Sequence, residues 1–217
     1  MPTIPLTPAT AHVPLRGADD AFALALEGVR RSYGHVEALA PLTLRLSPGT
    51  VCAVTGSNGS GKTTLLRIAA GLLQPSGGVR RGRTPALYAR AGGGARPAQT
   101  VGQAVAFAAS LGGGDADEAV AVTRLAELCS SRVGELSAGQ RARVALAVVV
   151  AADPAVACLD EPDAHLDEAS RRCAGTVIEV LAGRGCAVLV ATHARRWLDG
   201  HCDAEVRLVS SSPTGAA

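Results

Sequence analysis

Hydrophobic and polar positions alternate through AFALALEGVRRSY (residues 21–33) and LTLRLS (42–47), which predicts two half-buried strands. TVCAVTG (50–56) is a short β-rich run ending in glycine. KTTLLRIAAGLL (62–73) then changes to helical spacing, with Leu65, Ile68, Ala69 and Leu72 on one face. GGVRRGR and ALYAR are weaker strand candidates. TVGQAVAFAASL and ADEAVAVTRLAELC predict helices on either side of a turn at Gly112–Gly114. AGQRARVALAVVVAA predicts a helix stopped by Asp153-Pro154. DEASRRCAGTVIEVLAGRG predicts another, with Asp167 as N-cap, Gly183 as stop and an apolar face of Cys173, Val177 and Val180. AVACLD (155–160) and CAVLVAT (186–192) are continuous apolar runs, as expected of strands buried on both faces. Apolar strands separated by helices predict an α/β fold with a mainly parallel central sheet flanked by helices. The expected organisation is one domain over 21–209 with a small helical lobe at about 97–132. A flexible Pro/Thr-rich leader (1–20) and a frayed tail (210–217) bracket it.

Composition removes several function classes. The chain has 217 residues and a net charge of only +2. No arginine run exceeds two, and aromatics are scarce, so a nucleic-acid partner is not expected. The six cysteines form no CxxC and no cluster with histidine, which reads as reduced core thiols. The N-terminus lacks a signal peptide's basic cluster and apolar run. The apolar run Val144–Ala152 falls far below the roughly 20 residues of a spanning helix. A soluble, cytoplasmic protein is expected.

One residue breaks the compositional trend. Lys62 is the only lysine, against twenty arginines. It lies in GSNGSGKTT (56–64), where Gly56, Gly61, Lys62 and Thr63 satisfy G-x-x-x-x-G-K-[ST] between a strand and a helix. Glycines let successive backbone N–H groups turn inward toward phosphate oxygens, and the helix start adds its positive dipole end. Lysine is a compact charge on a flexible stem, suited to the β- and γ-phosphates of a nucleoside triphosphate; a planar guanidinium fits a tight cradle poorly. The Thr63 hydroxyl is the expected ligand of Mg²⁺. The competing reading is a Gly/Ser turn with an incidental lysine, which the strand–loop–helix order disfavours.

Three further stretches have both a plain and a chemical reading. In AVACLDEP, Asp160 at a strand end can hold Mg²⁺ through water and Glu161 can orient or deprotonate an attacking water; a solvated acidic turn is equally ordinary. ELSAGQ puts Ser137, Gly139 and Gln140 at a helix start, either a second anion site or a plain serine cap. VATHARRW places His193 just after a buried strand, where a lone histidine is more often structural.

Order and spacing change that balance. From about Ala21 to Val209 the chain resembles the ATP-binding cassette family, the nucleotide-binding subunits of ABC transporters. GSNGSGKTT resembles its phosphate loop (Gly56, Ser57, Asn58, Gly59, Ser60, Gly61, Lys62, Thr63 and Thr64), LSAGQ its signature, CLDEPDAHLD its Mg²⁺/base strand with the dimer-contacting loop, and ATH its switch histidine. The resemblance implies a P-loop NTPase with an N-terminal antiparallel β portion. It implies ATP and Mg²⁺ as cofactors, Tyr33 stacked on adenine, Mg²⁺ at Thr63 and Asp160, and catalysis by Glu161 and His193. It further implies a second copy, or a homologous cassette, whose Ser137–Gly139 stretch closes on the γ-phosphate, with Asp167 reporting across the dimer. A separate integral membrane permease would tie the chain to the inner face of the cell membrane.

The sequence departs from the family pattern in two places. Ala138 replaces the first glycine of LSGGQ. The glutamine expected after ALYAR is missing: Arg90 and Ala91 stand there, and Gln99 is the next glutamine. The compact size and motif wording are similar to the haem-exporter ATPases of cytochrome c biogenesis, while the missing glutamine points away from them, so the cargo stays open. A soluble, non-transport ATPase and a non-hydrolysing regulatory cassette are the alternatives.

Overall fold

The computed structural model describes residues 22–164 and 166–209. The expected leader and tail lie outside the described residues. In chain order the first half contains β1 (Leu24–Tyr33), β2 (Val36–Leu46), β3 (Val51–Gly56), α1 (Lys62–Ala69), β4 (Gly77–Gly82) and β5 (Ala86–Arg90). The second half contains α2 (Val101–Gly112), α3 (Ala116–Val122), α4 (Ala138–Ala152), β6 (Val156–Asp160), α5 (Glu168–Gly183), β7 (Ala187–Ala191) and β8 (Ala204–Leu208).

The strands make two sheets. The two alternating segments, β1 and β2, form an antiparallel sheet with β4 in the order β2-β1-β4, and the continuous apolar β6 and β7 lie inside a parallel sheet of order β5-β6-β7-β3-β8. Successive side chains of a strand point to opposite faces. Val51 and Ala53 therefore join one core with Leu159, Val190, α4 and α5, while Cys52 and Val54 join another with Leu189, α1 and the antiparallel sheet. Both faces are covered, which is why β6 and β7 tolerate no polar residue before Asp160 and Thr192. Fully burying one such leucine or valine contributes about 1.5–3 kcal/mol. Burial raises the thiol pKa of Cys52 and Cys158, and pushes Cys186 up to about 12. All six cysteines are free.

Several expectations need correction. The predicted face of α1 includes Leu72, but the helix ends at Ala69, Gly71 turns left-handed (φ 77°) and Leu72 is 66 % exposed. The helix predicted over 116–129 breaks after Val122: buried Thr123 bonds back to the Ala119 carbonyl, Arg124 adopts φ 54°, and only a short 3₁₀ turn follows at Ala126–Leu128. Helix α5 runs through Gly183; its stop is Arg184 followed by left-handed Gly185. Strand β8 is additional to the elements read from the sequence.

Helices α2 and α3 pack on α4. Close approach is allowed at Gly112, where any Cβ would collide with the Ala152 carbonyl. At the other end of the molecule's logic, the carboxyl ends of β3, β6 and β7 lie side by side, since Val54 pairs with Ala191 and Ala191 with Asp160. Open α/β sheets bind ligands along this edge.

Candidate nucleotide site

The loop after β3 is built by backbone geometry. Gly56, Gly59 and Gly61 have φ of 148°, 78° and 94°, conformations that L side chains rarely adopt. Space forbids a side chain too: a Cβ on Gly56 would lie 2.5 Å from the Leu208 carbonyl oxygen, and one on Gly61 would strike that of Ala38. Ser57, Asn58 and Gly59 form the exposed crest. Lys62 is buried, and its Nζ donates to the carbonyls of Gly56 (2.9 Å) and Ser57 (3.0 Å), curling over the loop. Helix α1 begins at Gly61 with no side-chain cap, and the Ser60 Oγ is buried without a partner. Uncapped amides, an unsatisfied hydroxyl and one cation converge on this loop, which suits a phosphate.

Asp160 closes the other side. Its Oδ2 accepts from Thr63 Oγ1 at 2.8 Å and from the Tyr88 hydroxyl at 2.7 Å, and the residue is 3 % exposed. Thr64 follows Thr63 inside the first turn of α1. A hydroxyl and one carboxylate are too few ligands for a protein-only metal cage, and no cluster of three His, Cys, Asp or Glu occurs among the described residues. They fit Mg²⁺, which is bound through one or two carboxylates together with substrate phosphates. Burial and the bond to Asp160 raise the Tyr88 pKa, so its phenol is the donor in that contact.

Glu161 follows at φ 52°, its amide donating to the Ala191 carbonyl at 2.9 Å. Its Oε1 lies 3.0 Å from His193 Nε2. Asp163 accepts from Thr192, one residue before His193, and burial raises its pKa. A cavity of about 420 Å³ opens beside the loop, walled by Ser57, His193, Arg195, Glu205 and Arg207 among others. Glu205 binds Thr55 Oγ1 (2.7 Å) and Arg195 (2.7 Å).

Other predicted residues stand apart from this cluster. At the start of α4, Ser137 Oγ accepts from the Gln140 amide (3.2 Å) while Gln140 Oε1 accepts from the Ser137 amide (2.8 Å), a closed capping box leading into Gly139. Neither side chain bonds to the phosphate loop, Asp160 or Glu161. Asp167 caps α5 through the Ser170 amide at 2.8 Å, which holds its carboxyl below the ordinary value. Tyr33 ends β1, 51 % exposed, with the Arg31 guanidinium 4.5 Å from its ring centroid. Gln99 accepts from the Arg96 amide and closes its own turn, with no bond to Asp160 or Thr63.

The sequence reading left out Tyr88, Asp163, Thr192, Arg195 and Arg207. Tyr88 had a traceable signal: a tyrosine at mid-strand needs a partner for its hydroxyl when half-buried. The others depend on contacts between segments far apart in the chain.

Comparison with known proteins agrees with this geometry. The profile of the ABC transporter family matches residues 39–164. The cytochrome c biogenesis ATP-binding export protein of Ruegeria pomeroyi is 35 % identical over 175 residues, covering 80 % of this chain and 84 % of that protein. An Fe(3+) ions import ATP-binding protein of Rhodococcus jostii is 34 % identical over 196 residues, covering 79 % of this chain and 55 % of that protein. The dimeric structure of a bacterial ABC transporter cassette superposes with a TM-score of 0.76 at 21 % identity, covering 86 % of this chain and 94 % of that one, a likeness of fold. No helix among the described residues is long and apolar enough to cross a membrane. The phosphate loop, the Asp-Glu strand end and the family match together place this chain in the ABC transporter family, as an ATP-binding subunit.

Proposed function

We propose that the chain hydrolyses ATP to ADP and phosphate and drives transport through a separate permease by pairing with a second cassette. The observation that carries this reading is the Glu161–His193 contact at 3.0 Å, next in sequence to the Asp160–Thr63 bond. Gly56–Thr64 hold the phosphates, and Lys62 exchanges its carbonyl partners for the β- and γ-oxygens. Thr63 and Asp160 hold Mg²⁺, which supplies charge neutralisation at the transferring phosphoryl group. Glu161 orients water against the γ-phosphorus and takes its proton as the bond to the β-phosphate oxygen breaks. His193 contacts Glu161 Oε1 and meets the γ-phosphate. The open face of Tyr33 receives adenine.

Ser137 and Gln140 bond to each other and not to the phosphate loop of their own chain; in this reading Ser137, Gly139 and Gln140 act on the nucleotide of the second copy. The relatives' names divide between cytochrome c biogenesis export and Fe(3+) import at nearly equal identity. The cargo and direction therefore belong to the permease, which would hold this subunit at the inner membrane face.

Glu161→Gln tests the proposal. Turnover is expected to fall at least ~100-fold, the scale of one well-placed acid–base group, with ATP binding retained. Unchanged turnover would remove Glu161 from its role and favour a different base.

A further inference from the structure

His193 sits on a turn whose shape is set by its buried neighbour. Thr192 is fully buried at the end of β7. Its Oγ1 lies 3.1 Å from the Ala194 amide and 3.1 Å from the Trp197 indole nitrogen. Both are obligate donors, so they occupy the two lone pairs of the hydroxyl. The hydroxyl's own hydrogen must then go to Asp163, whose Oδ1 and Oδ2 lie 3.0 and 3.1 Å away. One side chain thus spends its whole hydrogen-bonding capacity tying together the loop after β6, the end of β7 and the 3₁₀ turn Arg195–Leu198. Leu198, fully buried, roots that turn in the core.

This link runs parallel to the chemistry. Asp163 lies two residues beyond Glu161, and Thr192 one before His193. The same two loops are therefore joined twice, once by the part-buried Asp163–Thr192 bond and once by Glu161–His193. The second contact is between half-exposed side chains, 39 % and 45 % exposed, which hold each other weakly in water. The link through Thr192 is stiffer, because the hydroxyl at its centre is fully buried and holds three partners at once. Glu161 also sits in the left-handed region at φ 52°. A strained residue keeps such a conformation only where its surroundings over-determine it. The Glu161 amide bond to Ala191 restrains it on one side, and Asp163 anchors the chain two residues later.

We infer that Thr192, with Asp163 and Trp197, is the positioning device for the Glu161–His193 pair. The inference rests on the hydrolytic reading of Glu161 and deepens it. None of the three need touch nucleotide. Trp197 is the chain's single tryptophan, so its emission reports on this junction without any labelling.

The test uses Thr192→Val, which keeps the shape and removes the hydroxyl. Turnover is expected to fall by about 10- to 100-fold, the scale of misplacing a reacting group. The affinity for a fluorescent ATP analogue stays within about twofold, since the phosphate loop is untouched. Trp197 emission changes as its indole N–H loses its partner, and Thr192→Ser restores both turnover and emission. Trp197→Phe removes one of the two donors, keeps the Asp163 bond and gives a smaller loss of turnover; it serves if the valine variant fails to fold. Wild-type turnover in Thr192→Val with altered emission would overturn the inference. So would loss of turnover and nucleotide affinity in equal proportion, or failure of serine to rescue. Glu161→Gln run alongside separates the two levels. If it leaves turnover intact, the reading of Glu161 as the base fails; if it abolishes turnover while Thr192→Val does not lower it, only the positioning role fails.

Discussion

Helices α1 and α4 both follow a serine and carry a glycine in or beside their first turn, yet the two starts are built in opposite ways. At α1 the cap is Gly61 in a left-handed conformation, no side chain satisfies the amides, and Ser60 Oγ has no partner. At α4 the Ser137–Gln140 capping box satisfies the helix start from within. The first leaves donors for a ligand to satisfy. The second is already stable alone and presents a finished, exposed lip. A complete phosphate cradle and a finished lip on one chain make sense together when the lip of one copy meets the cradle of another.

That contrast can be broken from either side. Lys62→Ala should have the largest effect, with ATP affinity falling at least ~100-fold by calorimetry, because the cation that curls over the loop is removed together with its charge-assisted contact to phosphate. Wild-type affinity would show that the α1 start does not hold phosphate. Ser137→Ala should act differently. It costs about 1 kcal/mol of stability through the lost cap and leaves ATP affinity of the isolated chain within about twofold. Turnover should nevertheless fall by about tenfold as the lip meets the second copy's nucleotide with one hydroxyl fewer. A matching loss of affinity would place Ser137 in its own chain's site instead. The smallest effect belongs to Gln99→Ala. Its carboxamide only closes a turn on Arg96, so turnover and Mg²⁺ dependence should change by no more than about twofold. A large loss would show that the loop rearranges to bring Gln99 to the metal.

The same contrast explains what the sequence could disclose. The phosphate loop is legible because its function lies in local backbone geometry, and glycine spacing encodes local geometry directly. The parallel sheet is legible for a related reason: a strand buried on both faces has to be apolar throughout, as β6 and β7 are. The partner of Tyr88 was not visible, because its bond to Asp160 depends on the register that sets Tyr88 opposite Cys158. Strand β8 is five residues long and is defined by its partner β3, some 150 positions earlier, through contacts such as Thr55–Glu205. The break after α3 turns on Thr123 choosing the Ala119 carbonyl, a local competition that helical periodicity does not reveal. The missing glutamine was legible as an absence. What stands on Asp160 in this chain, the Tyr88 phenol, was not.

The central claim is that one chain supplies the cradle of one nucleotide site and the lip of another. Light scattering of Glu161→Gln with and without ATP tests it most directly, since slow turnover traps whatever assembly ATP induces. The expected result is a species of twice the chain's mass with ATP, reverting to the single chain when nucleotide is removed, and lost again in Glu161→Gln combined with Ser137→Arg. A single chain that binds ATP at saturation and never doubles its mass would contradict it.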